Sequence, residues 1–70
     1  MVNQCRAARA LLDWTQDQLA EAAGVGVSTV KLFEAGKRQP MRQNLEAMRR
    51  AFEGAGVRFI GDTGVDLHAQ

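Results

Sequence analysis

Two glycines one residue apart, Gly24 and Gly26, divide the segment Thr15 to Gly36, TQDQLAEAAGVGVSTVKLFEAG, into two short helical patterns, and no other stretch limits the folding of the chain as much. Ahead of them, Leu19, Ala20 and Ala23 fall on one helical face. Thr15 stands where its hydroxyl accepts from an otherwise unpaired amide one turn on, so a helix is expected over 16–23. Gly24 falls where that helix must end; without a Cβ it enters the left-handed conformation that turns the chain sharply. Gly26 takes the next N-cap position, and Val30 and Phe33 recur at helical spacing to meet Leu19 and Val25. This assigns a second helix from Val27 to about Ala35, with Val27, Ser28, Lys31 and Leu32 on its other face.

Two helices joined this tightly form a helix-turn-helix, and a short helix braced from behind with one bare face suits insertion into a DNA major groove. The segment resembles the helix-turn-helix of the phage repressor and Cro family, including its small bacterial XRE-type relatives. The family pattern of Thr-Gln, Leu-Ala, a Gly-Val turn, a Thr-Ile/Val pair, Glu-x-Gly-Lys/Arg and a Pro is met by Thr15, Gln16, Leu19, Ala20, Gly24, Val25, Thr29, Val30, Glu34, Gly36, Lys37 and Pro40. The resemblance covers residues 5 to 53 and implies a mainly all-α fold, a compact four-helix domain, that binds palindromic double-stranded DNA as a homodimer. It also implies that Gln16 contacts the DNA backbone, with Thr29 placed among the same contacts, and that Arg9 pairs with Glu34. Without the resemblance, Gln16 is an exposed first-turn residue and Arg9 and Glu34 are two solvated charges. Arg9 does lie on or beside the apolar stripe of the first helix, where an unpaired guanidinium is costly.

The helix from Val27 is expected to do the reading. Ser28 donates or accepts at a base edge, Val27 and Leu32 meet thymine methyl groups, and Lys31 reaches a phosphate or a guanine. The better-known repressors place glutamines at or near the first two positions of this helix, and this departure gives no ground for carrying their operator sequence over to this chain. The plainer alternative leaves Val27 and Leu32 as exposed apolar residues packed on nothing. After Gly36, the adjacent cations Lys37 and Arg38 are placed to clamp a phosphate, with Arg42 and Asn44 as further backbone contacts near the start of the last helix.

The net charge of +1 argues only weakly for nucleic acid, but its distribution says more. Between Val27 and Arg42 four basic residues, Lys31, Lys37, Arg38 and Arg42, face one acid, Glu34, whereas Asp13, Asp17 and Glu21 gather around the preceding helix. Seventy residues is near the lower limit for an unaided core. One cysteine forms no internal disulfide and no Cys/His cluster supplies a metal site, so no cofactor or metal is expected and a second subunit is the remaining support. Cys5 and His68 sit near opposite ends, and no carboxylate pair or phosphate-binding glycine loop is evident, so the expectation is not an enzyme. With no leader-like or spanning apolar stretch, the expected compartment is the cytoplasm.

The first helix is expected from Asn3 to Asp13, with Cys5, Ala8 and Leu12 inward and Arg6 and Asp13 outward. Trp14 is assigned to packing beside Leu19 and the last helix. That last helix runs from Arg42 to Glu53, with Leu45, Met48 and Phe52 closing the core; Met41 stands where relatives carry a Ser or Thr cap. The helical domain is taken as 1–54 and the tail as 55–70. In the tail, Val57 to Ile60 favours β structure, Gly61 to Gly64 is rich in turn residues, and Val65 to His68 alternates, giving a strand or hairpin. A lone two-stranded ribbon is marginal, so Val57, Phe59 and Ile60 are expected to pair with the same strand of a second subunit. The alternative is a monomer with Phe59 folded back on the helices and disorder after Ile60. The expected function is sequence-specific DNA binding by a homodimeric regulator, a repressor that occupies its operator. The competing reading is an antitoxin-like or other protein-binding module on the same fold.

Overall fold

The computed structural model describes residues 2–61 and 64–67, in four helices and a β-hairpin: α1 Val2–Leu12, α2 Gln16–Ala23, α3 Val27–Glu34, α4 Arg42–Gly54, β1 Val57–Ile60 and β2 Gly64–Leu67. Each of the first three helices ends on a residue of positive φ, and there the chain reverses. Gly24 (φ 70) donates to the Glu21 carbonyl while Val25 donates to Ala20, a paired closure that uses up carbonyls the helix leaves open. Gly36 (φ 72) repeats the pattern after α3.

After α1 the same turn is made by Asp13 at φ 57, with Asp13 donating to Ala10 and Trp14 to Arg9. A side chain in this conformation costs about 1 kcal/mol, less for Asp than for most residues. Glycine would remove that strain and return part of the gain as unfolded-chain entropy. Asp13→Gly is therefore expected to stabilise the fold by about 0.5 kcal/mol, raising the thermal midpoint by roughly 2–4 °C in a calorimetric scan.

The core takes residues from every helix and from β1: Cys5 and Ala8, Leu19 and Ala20, Val30 and Phe33, Met48 and Phe52, and Val57, all buried. Phe52 lies at its centre. Its ring stacks on Trp14 at 5.8 Å between centroids and meets the edge of Phe59 at 6.1 Å, joining the α1–α2 turn, α4 and the hairpin in one aromatic run. Arg49 closes it, its guanidinium 5.0 Å from the Phe59 centroid. On its outer side α4 carries the ion pairs Arg42–Glu46, Arg50–Glu46 and Arg49–Glu53, each four residues apart.

The tail departs from expectation in what covers it. β1 pairs antiparallel with β2 of the same chain, Val57 opposite Leu67 and Phe59 opposite Val65, so these four residues share the face that lies on α1 and α4. Val57 is only 3% exposed and Phe59 is half-buried, so both side chains pack on the chain's own helices, while β1 has β2 as its one strand neighbour among the described residues. The reason is that α1 and α4 supply the apolar surface a free ribbon lacks. Gln4 adds a polar lock: its Nε2 donates to the carbonyls of Gly61 and Gly64, each at 3.0 Å, and so holds both ends of the hairpin turn. Ile60, at 52% exposure, and Leu67, at 49%, remain open. His68 lies outside the described residues.

Candidate nucleic-acid interface

α3 is presented by α2, and α2 is fixed at both ends. Its start is a reciprocal cap in which the Gln18 amide donates to Thr15 Oγ1 at 3.0 Å and the Thr15 amide to Gln18 Oε1 at 2.8 Å. Its end is the Gly24 turn, after which Val30 and Phe33 seat α3 against Leu19 and Ala20 within one core. The outer side of α3 then carries Ser28 and Lys31, both exposed, with Leu32 half-exposed and outside the core. Val27 does not join them. It is half-buried and packs against the core, because it lies three residues before Val30 and so shares that inward face.

The chain beyond α3 brings together residues the sequence scatters. Thr29, Arg38 and Asn44 line one cavity of about 160 Å³ with Gln39, Pro40 and Met41. Lys37 and Arg38 border a second, more open hollow beside Phe33 and Gly36. Met41 is the N-cap of α4 and gives no side-chain cap; its carbonyl accepts from the amides of Asn44 and Leu45, at 2.9 and 3.1 Å. The amides of Arg42 and Gln43 precede any helical acceptor and face outward from the first turn, as helix starts do. Arg42 is exposed and pairs at the surface with Glu46 at 3.4 Å. Donors of several kinds thus lie beside α3: the cations Lys37, Arg38 and Arg42, the Thr29 hydroxyl, the carboxamides of Gln39 and Asn44 and the positive end of α4.

Behind this surface sits Glu34, 4% exposed. Arg9 grips it with two nitrogens, Nη2 to Oε1 and Nε to Oε2, both at 2.7 Å. Cys5 Sγ donates to Oε2 at 3.1 Å and Gln16 Nε2 to Oε1 at 3.0 Å, while Arg6 Nη2 donates to the Glu34 carbonyl at 2.7 Å. Burial pushes the carboxyl pKa up, but the bonds from Arg9, Cys5 and Gln16 outweigh it and hold it below the ordinary carboxylate range. Bonding to Glu34 raises Arg9 in turn. Burial first, and then Glu34, push the Cys5 thiol up to about 12, so it is a packed donor rather than a nucleophile.

Several of these contacts escape sequence reasoning. The Thr-x-x-Gln spacing of Thr15 and Gln18 signals the reciprocal cap, and Val27 at three before Val30 signals its inward turn. Nothing local signals Gln4 at the hairpin, Arg6 at the Glu34 carbonyl or Gln16 on the Glu34 carboxylate. Gln16, expected as an exposed first-turn residue that meets DNA, is half-buried with its amide committed to Glu34. Among the described residues there is no cluster of His, Cys, Asp or Glu able to hold a metal, and no helix long and apolar enough to cross a membrane.

A tight glycine turn, a braced helix with one bare side and flanking cations define a DNA-binding helix-turn-helix. Residues 6–54 match the helix-turn-helix family model, and the chain belongs to that family, in its XRE or Cro/C1-type branch of DNA-binding regulators. No curated protein matches the chain. The family match stops at the end of α4, and the hairpin lies beyond it.

Proposed function

We propose that the protein is a sequence-specific regulator of transcription, a repressor that occupies a palindromic operator as a homodimer with α3 in the major groove. The observation that carries this reading is the open side of α3, with Ser28, Lys31 and Leu32 outward, flanked by Lys37 and Arg38 and by the cavity of Thr29, Arg38 and Asn44. In the groove, Ser28 and Lys31 meet base edges and Leu32 meets a thymine methyl, while Lys37, Arg38, Arg42, Thr29, Asn44 and Gln16 hold phosphates. Supporting a second copy are the outer edges of a two-stranded sheet and the exposed Ile60 and Leu67.

Selection of bound duplexes from a random pool, followed by affinity measurement at several salt concentrations, tests the reading. The recovered sites are expected to be palindromic, with half-site centres separated by about one helical turn, ~34 Å. The Lys37→Ala/Arg38→Ala pair is expected to weaken binding to all duplexes alike and to lower the salt slope by roughly 2, one counterion release per lost phosphate contact. Ser28→Ala is expected to change the preferred base while leaving that slope alone. Binding indifferent to salt and to these substitutions, with a protein partner co-purifying, would favour the interaction-module reading instead.

A further inference from the structure

The Gln16 carboxamide is tied down before any DNA arrives. It stands at the first position of α2, yet its Nε2 donates to Glu34 Oε1, and Glu34 is itself held by both nitrogens of the Arg9 fork and by Cys5. The carboxylate therefore cannot follow a moving glutamine; the glutamine must conform to the carboxylate. A free glutamine side chain samples many rotamers and loses that freedom on binding. This one has given it up in folding, and it forms no other hydrogen bond among the described residues, so one N–H of the carboxamide remains to be offered.

The geometry points to Glu34 as a positioning residue for DNA binding: its carboxylate fixes the Gln16 carboxamide so that the second N–H is set in place for a backbone phosphate alongside the free first-turn amides of α2. The inference rests on the proposed reading of the protein as a DNA binder. It assigns Glu34 a task apart from stability, since among the described residues the carboxylate is the one group of α3 that bonds to side chains of both α1 and α2. Aspartate would not serve equally, because a carboxylate one methylene shorter cannot hold both the Arg9 fork and Gln16 at these distances. Preorganisation of this kind lowers the ordering cost of the complex without adding a contact to it.

A double-mutant cycle on affinity for the selected duplex tests the coupling, with folding of each variant checked by near-ultraviolet dichroism of Trp14. Gln16→Ala is expected to weaken binding roughly tenfold, the scale of one hydrogen bond to a charged acceptor, with the salt slope unchanged because glutamine releases no counterion. Glu34→Asp is expected to weaken binding by a similar factor, and the pair together by no more than Gln16→Ala alone. Losses that multiply in the double variant would overturn the inference. A wild-type chain that binds no duplex would defeat the parent reading instead, so the two failures are distinguishable. Should Glu34→Asp not fold, nitrogen-15 relaxation of the Gln16 carboxamide in the wild-type protein decides. A group as rigid as the α2 backbone before and after duplex addition supports the assignment, and one that is mobile beforehand refutes it.

Discussion

Glu34→Ala is expected to remove a large share of the folding stability. The substitution strips the acceptor from Arg9, Cys5 and Gln16 together, and breaking a buried ion pair from one side costs about 3–5 kcal/mol. Arg9 keeps 20% of its side chain in water, which places the expected loss near the lower end, about 3 kcal/mol. A domain of this length holds only about 4–10 kcal/mol in total, so the transition should move far down in temperature or in urea. Thermal melts followed by far-ultraviolet dichroism measure it, and a change within 0.5 kcal/mol would mean that the pair is worth no more than a surface contact.

The same carboxylate gives stability a pH dependence of known sign. Its pKa is lower in the folded chain than in the unfolded one, so the unfolded state takes up the proton first. The contribution is complete above the unfolded value, about 4.3, and is lost as pH falls from there toward the folded value. Cys5 has the opposite sign: its thiol is pushed up to about 12 in the fold, so its contribution is complete below the unfolded value, about 8.5, and is lost as pH rises beyond that. Wild-type stability measured against pH should decline at both ends, and the acid limb should flatten in any Glu34 variant that still folds.

Phe52→Ala carries the second large effect. The ring is fully buried and contacts Trp14 on one side and Phe59 on the other, so its removal opens a cavity where α4, the α1–α2 turn and the hairpin meet. Large-to-small changes of this type cost about 3–5 kcal/mol. Unlike the loss of Glu34, this one falls on the hairpin: the amides paired between β1 and β2 should lose hydrogen-exchange protection ahead of those in α2 and α3, which keep the Glu34 cluster. Equal loss of protection everywhere would show that the hairpin and the helices open as one unit.

The helices are legible in the sequence because each buries a stripe of period 3.6 and stops at a residue that tolerates positive φ. Leu19, Ala20, Val30, Phe33, Met48 and Phe52 can be placed from spacing alone, and all six are buried. The Arg9–Glu34 pair is less legible, since only the family resemblance separates a bridge from two wet charges twenty-five residues apart. Gln4 at the hairpin turn and Gln16 on Glu34 are not legible, for a glutamine carries no periodic signal and its partner is set by the packing of whole elements. The hairpin was readable as β structure from Val57 and Phe59, but alternation says only that one face is apolar, not whose surface will cover it. Val27 is legible from its distance to Val30, three residues on, which turns it toward the core and off the outer side of α3.

The ladder of ion pairs along α4 has an electrical consequence. With Arg42, Arg49 and Arg50 each facing a glutamate, positive charge without an ionic partner among the described residues collects on Lys31, Lys37 and Arg38, and on Arg6 at the end of α3. Asp13, Asp17 and Glu21 are likewise without ion pairs, on α2 and the turn before it. A chain that is nearly neutral in sum is therefore unevenly charged, and a polyanion would be drawn to the cations around α3 at ranges up to about a Debye length, ~8 Å at physiological salt.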